Sequence, residues 1–378
     1  MTHQIPFTRG VPSADLLPVA DIRTAAAVAY ETDAVAALSY APGGHRPLRE
    51  WVAARHGVGA DRVLMVNGSL EGLGFLAKLV YADGQGAAVV EDPTYDRTLR
   101  LLGGVGAELR GVPLEADGLD PEALERAFAD PVPRLAYVVP TFQNPSGVNM
   151  SLAKRRRVVE LARERGVLLV EDDPYGLLRF EGEPLPSLHE LDGGDNVIYC
   201  SSFTKTVAPG VRTGYLVLPQ RLVGEFAALS TNTYISPNAF AEAALAAYCG
   251  LGFFEANVAR ATEQLRMRRD AMEAALREHF PAGSTWTTPA GGYFFWVRLP
   301  DRINPSATLT AAAEAGVPYV AGADFSRTHE GRQSMRLAFS AVSPDEITRG
   351  IARLGAVLSA AAGQAGGVGG QTLAPAAG

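Results

Sequence analysis

The chain has 378 residues, of which 47% are hydrophobic and 20% are charged, and it carries a net charge of −7. A chain of this size buries a large core in one to three domains. Its acidic balance gives no electrostatic basis for binding nucleic acid or an anionic membrane.

The cysteines, histidines and N-terminus narrow the choice further. Cys200 and Cys249 are far apart in apolar stretches, which predicts two reduced core thiols rather than a disulfide. The six histidines show no spacing typical of metal ligands, so we expect no protein-ligated metal. There is no signal-peptide pattern, and the longest uncharged apolar stretch, 243–254, is too short to span a bilayer. We therefore expect a cytoplasmic location and no membrane partner.

From about residue 60 to 220, short apolar runs alternate with longer helical patterns. Several runs are apolar on both faces, which is typical of a mainly parallel sheet covered by helices. Ser151 and Gly166 are the predicted N-cap and stop of one of these helices. The order predicts an α/β fold with a mainly parallel seven-stranded sheet between helices. The predicted strands are 62–66, 87–91, 107–112, 135–140, 167–171, 197–200 and 213–218.

The pattern changes after a long, charge-rich amphipathic helix predicted over 255–280. Strands at 291–297 and 334–340, with helices near 306–315 and 344–360, indicate a smaller α+β domain. The Gly/Ala-rich tail has the composition of a disordered segment. The predicted divisions are an N-terminal arm that contributes to the small domain (1–36), a large domain (37–265), a small domain (266–360) and the tail (361–378).

Residues that follow the predicted strands are the candidates for chemistry, because ligands of open α/β sheets bind beyond the carboxyl ends of strands. Ser69 follows the first strand in an Asn-Gly-Ser turn that opens a helix, where free N–H groups favour a phosphate. Tyr95 follows the second strand and could stack on a flat ring, and Asn144 follows the fourth in an Asn-Pro turn. Each of these residues, taken alone, also fits an ordinary turn, cap or core edge.

The fifth and sixth strands end in charged groups. Asp172 is one of three consecutive acids that leave a buried strand, which is costly unless they are paired, and Tyr175 lies three residues on. Lys205 follows the sixth strand, where a nearby cation and partial desolvation would lower its pKa as an amine nucleophile requires. Around it in sequence are groups suited to a phosphate: Ser202, Thr204 and Arg212.

The strand ends together carry a phosphate loop, an aromatic ring, an amide, an acid and a lysine beside hydroxyls and an arginine. Pyridoxal 5′-phosphate (PLP) requires a Schiff-base lysine, a partner for its pyridine nitrogen and a phosphate site. The combination predicts a PLP enzyme whose Schiff-base lysine is Lys205.

The sequence resembles the class I/II aminotransferases of the fold-type-I PLP superfamily. Within them it most resembles the branch with 2-aminoadipate and aromatic aminotransferases and the aminotransferase-like domains of MocR regulators. The resemblance covers roughly residues 5–358 and implies an aminotransferase that moves an amino group from an L-amino acid to a 2-oxo acid by a ping-pong mechanism. Its strongest segments are YVVPTFQNPSG (137–147), LLVEDDPYGLLRF (168–180), YCSSFTKTVAPGVRTGY (199–215) and PAGGYFFWVRL (289–299).

The resemblance also implies roles for individual residues. Lys205 would form the Schiff base and then move the substrate proton, while Asp172 would pair with the pyridine nitrogen. Arg336 would bind the substrate carboxylate. Asn144, which also borders the substrate, and Tyr175 would hydrogen-bond the ring oxygen.

The remaining implied contacts concern the ring face, the phosphate and a partner subunit. Tyr95 would stack on the ring, and Tyr40 would reach the cofactor of a second subunit, so a homodimer is implied. The implied phosphate contacts are Ser69, the backbone of Leu70, Ser202, Thr204 and Arg212.

Three positions depart from the family pattern. Leu70 stands where a polar residue is usual, and Thr204 replaces a more usual serine but keeps the hydroxyl. Arg9 stands where a small residue is common, on an arm that often borders the substrate in the family. Arg9 is therefore a candidate contact for a polar or acidic substrate side chain, and it equally fits an exposed arginine on a mobile arm.

Two alternatives share the predicted cofactor. The same residues serve β-elimination, oxidation or decarboxylation of an amino acid. A non-catalytic, PLP-sensing regulatory module is the other alternative, and we expect it less because the chain begins almost directly at the aminotransferase arm.

Overall fold

A large sheet forms the centre of the protein. The computed structural model describes residues 3–326 and 328–367. The strands of the large sheet are β1 (Val63–Val66), β2 (Ala87–Asp92), β3 (Glu108–Glu115), β4 (Gly118–Leu119), β5 (Leu135–Val138), β6 (Leu168–Asp172), β7 (Val197–Ser202) and β8 (Gly214–Val217). Their spatial order is β1-β8-β7-β6-β5-β2-β3-β4. The α/β prediction is confirmed, and β4, a two-residue strand, is added to the seven predicted strands.

The inner strands of the large sheet are parallel. β3, β2, β5, β6 and β7 pair in parallel, whereas β1, β4 and β8 pair antiparallel with their neighbours. Alternate residues of β5 enter different cores: Leu135 and Tyr137 pack on one face, and Ala136 and Val138 on the other. Both faces are therefore covered, which explains the continuous apolar runs.

Thirteen α-helices are described. Ser151 caps the sixth by accepting from the Lys154 N–H, and Gly166 ends it with a left-handed φ of 66°, as the sequence predicts. The helices are α1 (Val19–Leu38), α2 (Arg46–His56), α3 (Ser69–Val80), α4 (Asp96–Gly104), α5 (Pro121–Ala127), α6 (Leu152–Arg165), α7 (Leu188–Asp192), α8 (Gln220–Tyr234), α9 (Ala239–Gly250), α10 (Phe253–His279), α11 (Leu309–Glu314), α12 (His329–Arg332) and α13 (Pro344–Gly367).

A second, antiparallel sheet follows α10. Its strands are β9 (Thr285–Trp286), β10 (Phe294–Arg298), β11 (Val320–Ala321) and β12 (Ser334–Ala338), in the order β11-β12-β10-β9. Its core also includes Ile5 and Phe7 of the N-terminal arm, and the Ala338 N–H donates to the Phe7 carbonyl at 2.9 Å. The arm is thus held against the smaller sheet.

Some sequence predictions fall at or beyond the limits of the structure. α10 crosses the predicted boundary at 265/266, and the four-part division of the chain remains a prediction. α13 continues to Gly367, into the tail predicted to be disordered, and Ala362 within this extension still packs on the core of the smaller sheet; residues 368–378 lie outside the described residues.

The cysteines and the apolar helices are placed as follows. Cys200 and Cys249 are buried and free, as predicted. Within the described residues, no single helix has the length and apolar character to cross a membrane. α9 and α10 reach that length and apolar character only when taken together, and the two helices are bent by 83° relative to each other.

Candidate active site

Lys205 lies in the turn after β7, at the carboxyl edge of the parallel strands. Its Nζ is half-buried and donates to the Gly10 carbonyl at 2.6 Å, and it lies 5.8 Å and 5.6 Å from the ring centres of Tyr175 and Tyr293. Burial, assisted by the charge of Arg336, lowers the pKa of the Lys205 amine to about 8. A neutral, nucleophilic amine is therefore accessible near physiological pH.

Lys205 differs in this respect from the other lysines of the chain. The sequence has only three, Lys78, Lys154 and Lys205. Lys78 is exposed on α3, and Lys154 pairs with Glu115 at 2.5 Å and Asp117 at 2.6 Å, hydrogen bonds that raise its pKa. Lys205 is thus the one lysine of the chain whose surroundings favour the neutral amine.

Asp172 ends β6, the strand next to β7. Its Oδ2 accepts a 2.6 Å hydrogen bond from the Tyr137 hydroxyl, while its Oδ1 is buried with no hydrogen-bond partner among the described residues. Burial raises the pKa of the carboxyl to about 6. A buried carboxylate oxygen without a donor is costly, so the site is built to receive a donor such as a protonated ring nitrogen.

Arg336 on β12 joins the smaller sheet to this edge. Its Nη1 donates to the Asn144 Oδ1 at 2.9 Å and its Nη2 to the Thr8 carbonyl at 2.7 Å. The guanidinium lies over the rings of Phe294 and Phe325 at 4.4 Å and 4.7 Å, and its Nε is buried without a partner among the described residues. The charge is held in a fixed orientation that suits a carboxylate.

The two predicted ring contacts lie at the same edge. Tyr175 is buried after β6, and burial raises the pKa of its hydroxyl well above the usual value. Tyr95 is half-buried directly before α4, close enough to Asp172 and Arg336 for their charges to act on its hydroxyl. Asn144, Tyr175 and Tyr95 are thus gathered around the space between Lys205 and Asp172.

A corner where β7, β8 and α3 meet holds several of the predicted phosphate contacts. Ser202 is paired with Gly214, and a Cβ on Gly214 would lie 2.5 Å from the backbone nitrogen of Ser69. The N–H groups of Ser69 and Leu70 open α3, where no preceding turn supplies acceptors. Arg212 donates from Nη2 to the Asn67 carbonyl at 2.9 Å. Thr204 lies in the same turn as Lys205.

Tyr40 and Arg9 stand apart from the other predicted residues. Tyr40 is 76% exposed and borders a groove between α1 and α9. Arg9 is exposed on the arm, between Thr8 and Gly10, whose carbonyls accept from Arg336 and Lys205. None of the described hydrogen bonds within this chain joins Tyr40 or Arg9 to Lys205.

Several residues of the site were missed at the sequence level. Tyr137 was assigned only to a strand, although its hydroxyl fixes Asp172, and Tyr293 donates from its hydroxyl to the Lys205 carbonyl at 2.7 Å. The arm carbonyls of Thr8 and Gly10 were missed as well. No local signal identifies these contacts, because each joins segments far apart in the chain.

The residues present fit PLP. The Asp172 oxygen that lacks a donor matches a protonated pyridine nitrogen, and Lys205 carries the amine for the Schiff base. Gly214 has no side chain, which leaves open the space beside the Ser69 backbone that a Cβ would occupy. The fold and the site together define a PLP enzyme of fold type I.

Comparisons with known proteins agree with this class. The family model "Aminotransferase class I and II" matches residues 2–354. The aromatic-amino-acid aminotransferase 1 of Thermococcus litoralis is 32% identical, with 93% of this chain and 87% of that protein covered. The structure of LysN, an alpha-aminoadipate aminotransferase of Thermus thermophilus complexed with N-(5′-phosphopyridoxyl)-L-leucine, superposes with a TM-score of 0.90 at 30% identity, covering 96% of this chain and 93% of that one.

The chain is also similar to regulators. It is 29% identical to the probable rhizopine catabolism regulatory protein MocR of Rhizobium meliloti, over 79% of this chain and 65% of that protein. The chain belongs to the class I and II aminotransferases. It is a PLP-dependent aminotransferase, as the sequence predicts.

Proposed function

We propose that this enzyme transfers the amino group of an L-amino acid to a 2-oxo acid in two half-reactions, with Lys205 as its proton carrier. The observation that carries the proposal is the pairing of a half-buried amine of lowered pKa with a buried Asp172 oxygen that lacks a donor among the described residues. Bound PLP supplies an electron-accepting ring that stabilises negative charge at the substrate α-carbon.

The residues around Lys205 divide the remaining work. Arg336 binds the α-carboxylate and Asn144 borders it, which orients the α-hydrogen toward Lys205 Nζ. Nζ would accept the proton from the α-carbon as a general base. Asp172, held by Tyr137, would keep the ring nitrogen of bound PLP protonated.

The other contacts hold the cofactor in place. Tyr175 and Asn144 would hydrogen-bond the ring oxygen, and Tyr95 would cover one ring face. Ser69, the Leu70 N–H, Ser202, Thr204 and Arg212 would bind the phosphate. Convergence of these groups at one corner of the sheet, with a helix N-terminus facing it, supports this assignment.

We further propose that the enzyme is a homodimer in which Tyr40 reaches the partner's cofactor. Apolar side chains are unusually exposed along α1 and α9: Val35 is 77% exposed, Leu38 70%, Tyr40 76% and Phe240 55%. Of these four residues, Tyr40 borders a groove of about 810 Å³ between α1, α9 and residues 39–49. Patches of this kind mark protein–protein contacts. A cytoplasmic location stays a prediction from the sequence.

The reaction type is tested by the fate of the cofactor. Mixing the holoenzyme with an amino acid, without an acceptor, is expected to yield 2-oxo acid and pyridoxamine phosphate in equal amounts. β-Elimination and oxidation would leave the cofactor as PLP, and decarboxylation would release carbon dioxide. A non-catalytic regulatory module would bind amino acid without forming oxo acid. Chromatography of the released cofactor distinguishes these outcomes, and any but the first contradicts the proposal.

A further inference from the structure

A buried hydrogen-bonded pair, Glu91 and Gln143, joins the end of β2 to the loop that follows β5. Each of the two residues is 1% exposed. Gln143 Nε2 donates to Glu91 Oε2 at 2.9 Å and to the Pro93 carbonyl at 2.8 Å, and Glu91 Oε2 also accepts from the Val139 N–H at 3.2 Å. The pair has no part in the reaction proposed above, although the residue that follows Gln143 in the chain does.

The Gln143 amide uses all of its hydrogen-bonding capacity. An amide offers two N–H donors and an oxygen with two lone pairs. The donors are taken by Glu91 and Pro93, and Oε1 accepts from both the N–H and the hydroxyl of Ser146, at 2.9 Å and 2.7 Å. A buried polar network in which every group is satisfied fixes one geometry for the chain around it. The Gln143 side chain therefore fixes the start of the loop after β5.

Asn144, directly after Gln143, connects this network to the active site. Asn144 is 6% exposed, and its Oδ1 accepts from Arg336 Nη1 at 2.9 Å. A guanidinium has donors only, so the amide oxygen of Asn144 has to face Arg336. The Asn144 Nδ2, which has no acceptor among the described residues, is then the donor left for a ligand.

We infer that the Glu91–Gln143 pair holds Asn144 in the position from which its Nδ2 would reach the cofactor's ring oxygen. Gln143 is thus a positioning residue that acts through Asn144. The inference rests on the proposed function, which assigns Asn144 to that oxygen. A donor at the ring oxygen stabilises its anionic form, so displacement of Asn144 raises the pH at which the bound cofactor loses its proton.

The absorption spectrum of the holoenzyme tests the inference without turnover. The visible band of bound PLP changes when the cofactor loses its proton, so titration against pH gives a midpoint for each variant. Gln143→Met keeps the size of the side chain and removes the amide, and we expect its midpoint to rise by at least about half a pH unit, as for loss of a hydrogen bond to a charged group. Asn144→Ala, which lacks the donor itself, is expected to raise the midpoint at least as much.

Two further variants distinguish loss of the hydrogen-bonded pair from loss of any buried amide or charge. Burial raises the pKa of the Glu91 carboxyl to about 8, so Glu91→Gln replaces a group that is mostly protonated near pH 7 and keeps the oxygen that accepts from Gln143. Its midpoint is expected to stay close to that of the wild type. Asn196→Leu is the matched control: it removes an amide that bonds Val167 and Arg221 at the amino ends of the parallel strands, and it should leave the midpoint unchanged.

A double variant tests whether Gln143 acts through Asn144. If it does, Gln143→Met combined with Asn144→Ala has a midpoint no higher than that of Asn144→Ala alone, whereas independent effects add. Ser146→Ala removes one of the donors to Gln143 Oε1 and is a milder change, which serves if Gln143→Met does not fold. It is expected to raise the midpoint by less than Gln143→Met.

The outcomes separate this inference from the proposed function. An unchanged midpoint in Asn144→Ala would contradict the assignment of Asn144 to the ring oxygen, and the inference with it. A raised midpoint in Asn144→Ala, together with the wild-type midpoint in Gln143→Met and Ser146→Ala, would overturn the inference alone. Shifts that add in the double variant would also overturn the inference alone, because Gln143 would then act independently of Asn144.

Discussion

Lys205 and Asp172 titrate away from their usual values for one physical reason. Burial disfavours the charged form of each, so the lysine pKa falls to about 8 and the aspartate pKa rises to about 6. The two shifts prepare the site in complementary ways. The Lys205 amine is more often neutral and can attack an aldehyde. A cationic partner would stabilise the ionised form of the buried Asp172 carboxyl.

The scarcity of lysine makes the cofactor attachment directly testable. Reduction of the holoenzyme with borohydride, followed by peptide mass analysis, is expected to place the pyridoxyl group on Lys205, because the ion pairs of Lys154 raise the pKa of that amine and Lys78 is exposed on α3, outside the site. Lys78→Arg and Lys154→Arg are matched controls that should label like the wild type. Label on either of those lysines in the wild type would refute the assignment.

Asp172 is predicted to destabilise the apoprotein. Its pKa in the folded protein, about 6, exceeds the ordinary 3.8, so the folded state favours the protonated form and loses stability as pH rises from about 4 to 6. Asp172→Asn, which can still accept from Tyr137, removes this penalty. Its apoprotein is expected to unfold at a higher temperature than the wild type at about pH 8, with a gain of at most about 3 kcal/mol.

The pH dependence of that gain is the control. The difference in unfolding temperature between the Asp172→Asn and wild-type apoproteins should shrink as pH is lowered toward about 5, because the wild-type carboxyl then becomes neutral. In the holoprotein the variant should lose PLP affinity, since the ring nitrogen loses its anionic partner. A difference between the two apoproteins that does not vary from about pH 5 to 8 would show that Asp172 carries no such strain.

At the scale of elements, the phosphate corner depends on the close approach of β8 to α3. A Cβ on Gly214 would meet the backbone of Ser69 at 2.5 Å, and backbone atoms cannot move aside as a flexible side chain can. Gly214→Ala is therefore expected to raise the Kd for PLP at least about tenfold by moving the N–H groups of α3 away from the phosphate.

Gly210→Ala is the matched control, because a Cβ at Gly210 would meet no atom within 4 Å. Its Kd for PLP, measured by absorbance titration of the apoprotein, should stay within a factor of about two of the wild type. Circular dichroism of both apoproteins checks that each is folded. Equal affinity in the two variants would mean that the corner does not bind the phosphate.

The sequence predicted the elements better than the contacts between them. Each predicted strand of the large sheet lies within three residues of its observed limits, because apolar runs on both faces have few other solutions. The two-residue strands β4, β9 and β11 were missed, since two residues have no periodicity.

The candidate cofactor residues were chosen from strand ends, because parallel strands bring their carboxyl ends to one edge of the sheet. Long-range contacts could not be predicted in this way. The hydroxyl of Tyr137 fixes Asp172 from a neighbouring strand, and Thr8 and Gly10 reach Arg336 and Lys205 from the start of the chain. A sequence pattern indicates which face of its own element a residue occupies. It does not indicate these contacts, because they depend on how elements distant in the chain pack against each other.

At the scale of the whole molecule, the proposed dimer would bring Tyr40, which is exposed on this chain, to the site of the partner subunit. Lys205→Ala and Tyr40→Ala variants, each of low activity alone, should complement when mixed under conditions that exchange subunits. Each hybrid then contains one site with an intact Lys205 and an intact Tyr40 from its partner, so about a quarter of the wild-type rate is expected from random exchange.

Sedimentation confirms that subunits remain paired during the complementation experiment. A mixture that stays as inactive as its components, although hybrids form, would show that Tyr40 acts within its own subunit or not at all. A wild-type protein that remains monomeric at micromolar concentration would contradict the dimer itself.

Single-turnover kinetics measure directly whether Lys205 moves the substrate proton. Wild type and Lys205→Ala, both loaded with PLP, are mixed with the same amino acid, and formation of pyridoxamine phosphate is followed over time. We expect a rate at least about 10³-fold lower in Lys205→Ala, because the variant lacks the general base. Formation of pyridoxamine phosphate by Lys205→Ala at the wild-type rate would contradict it.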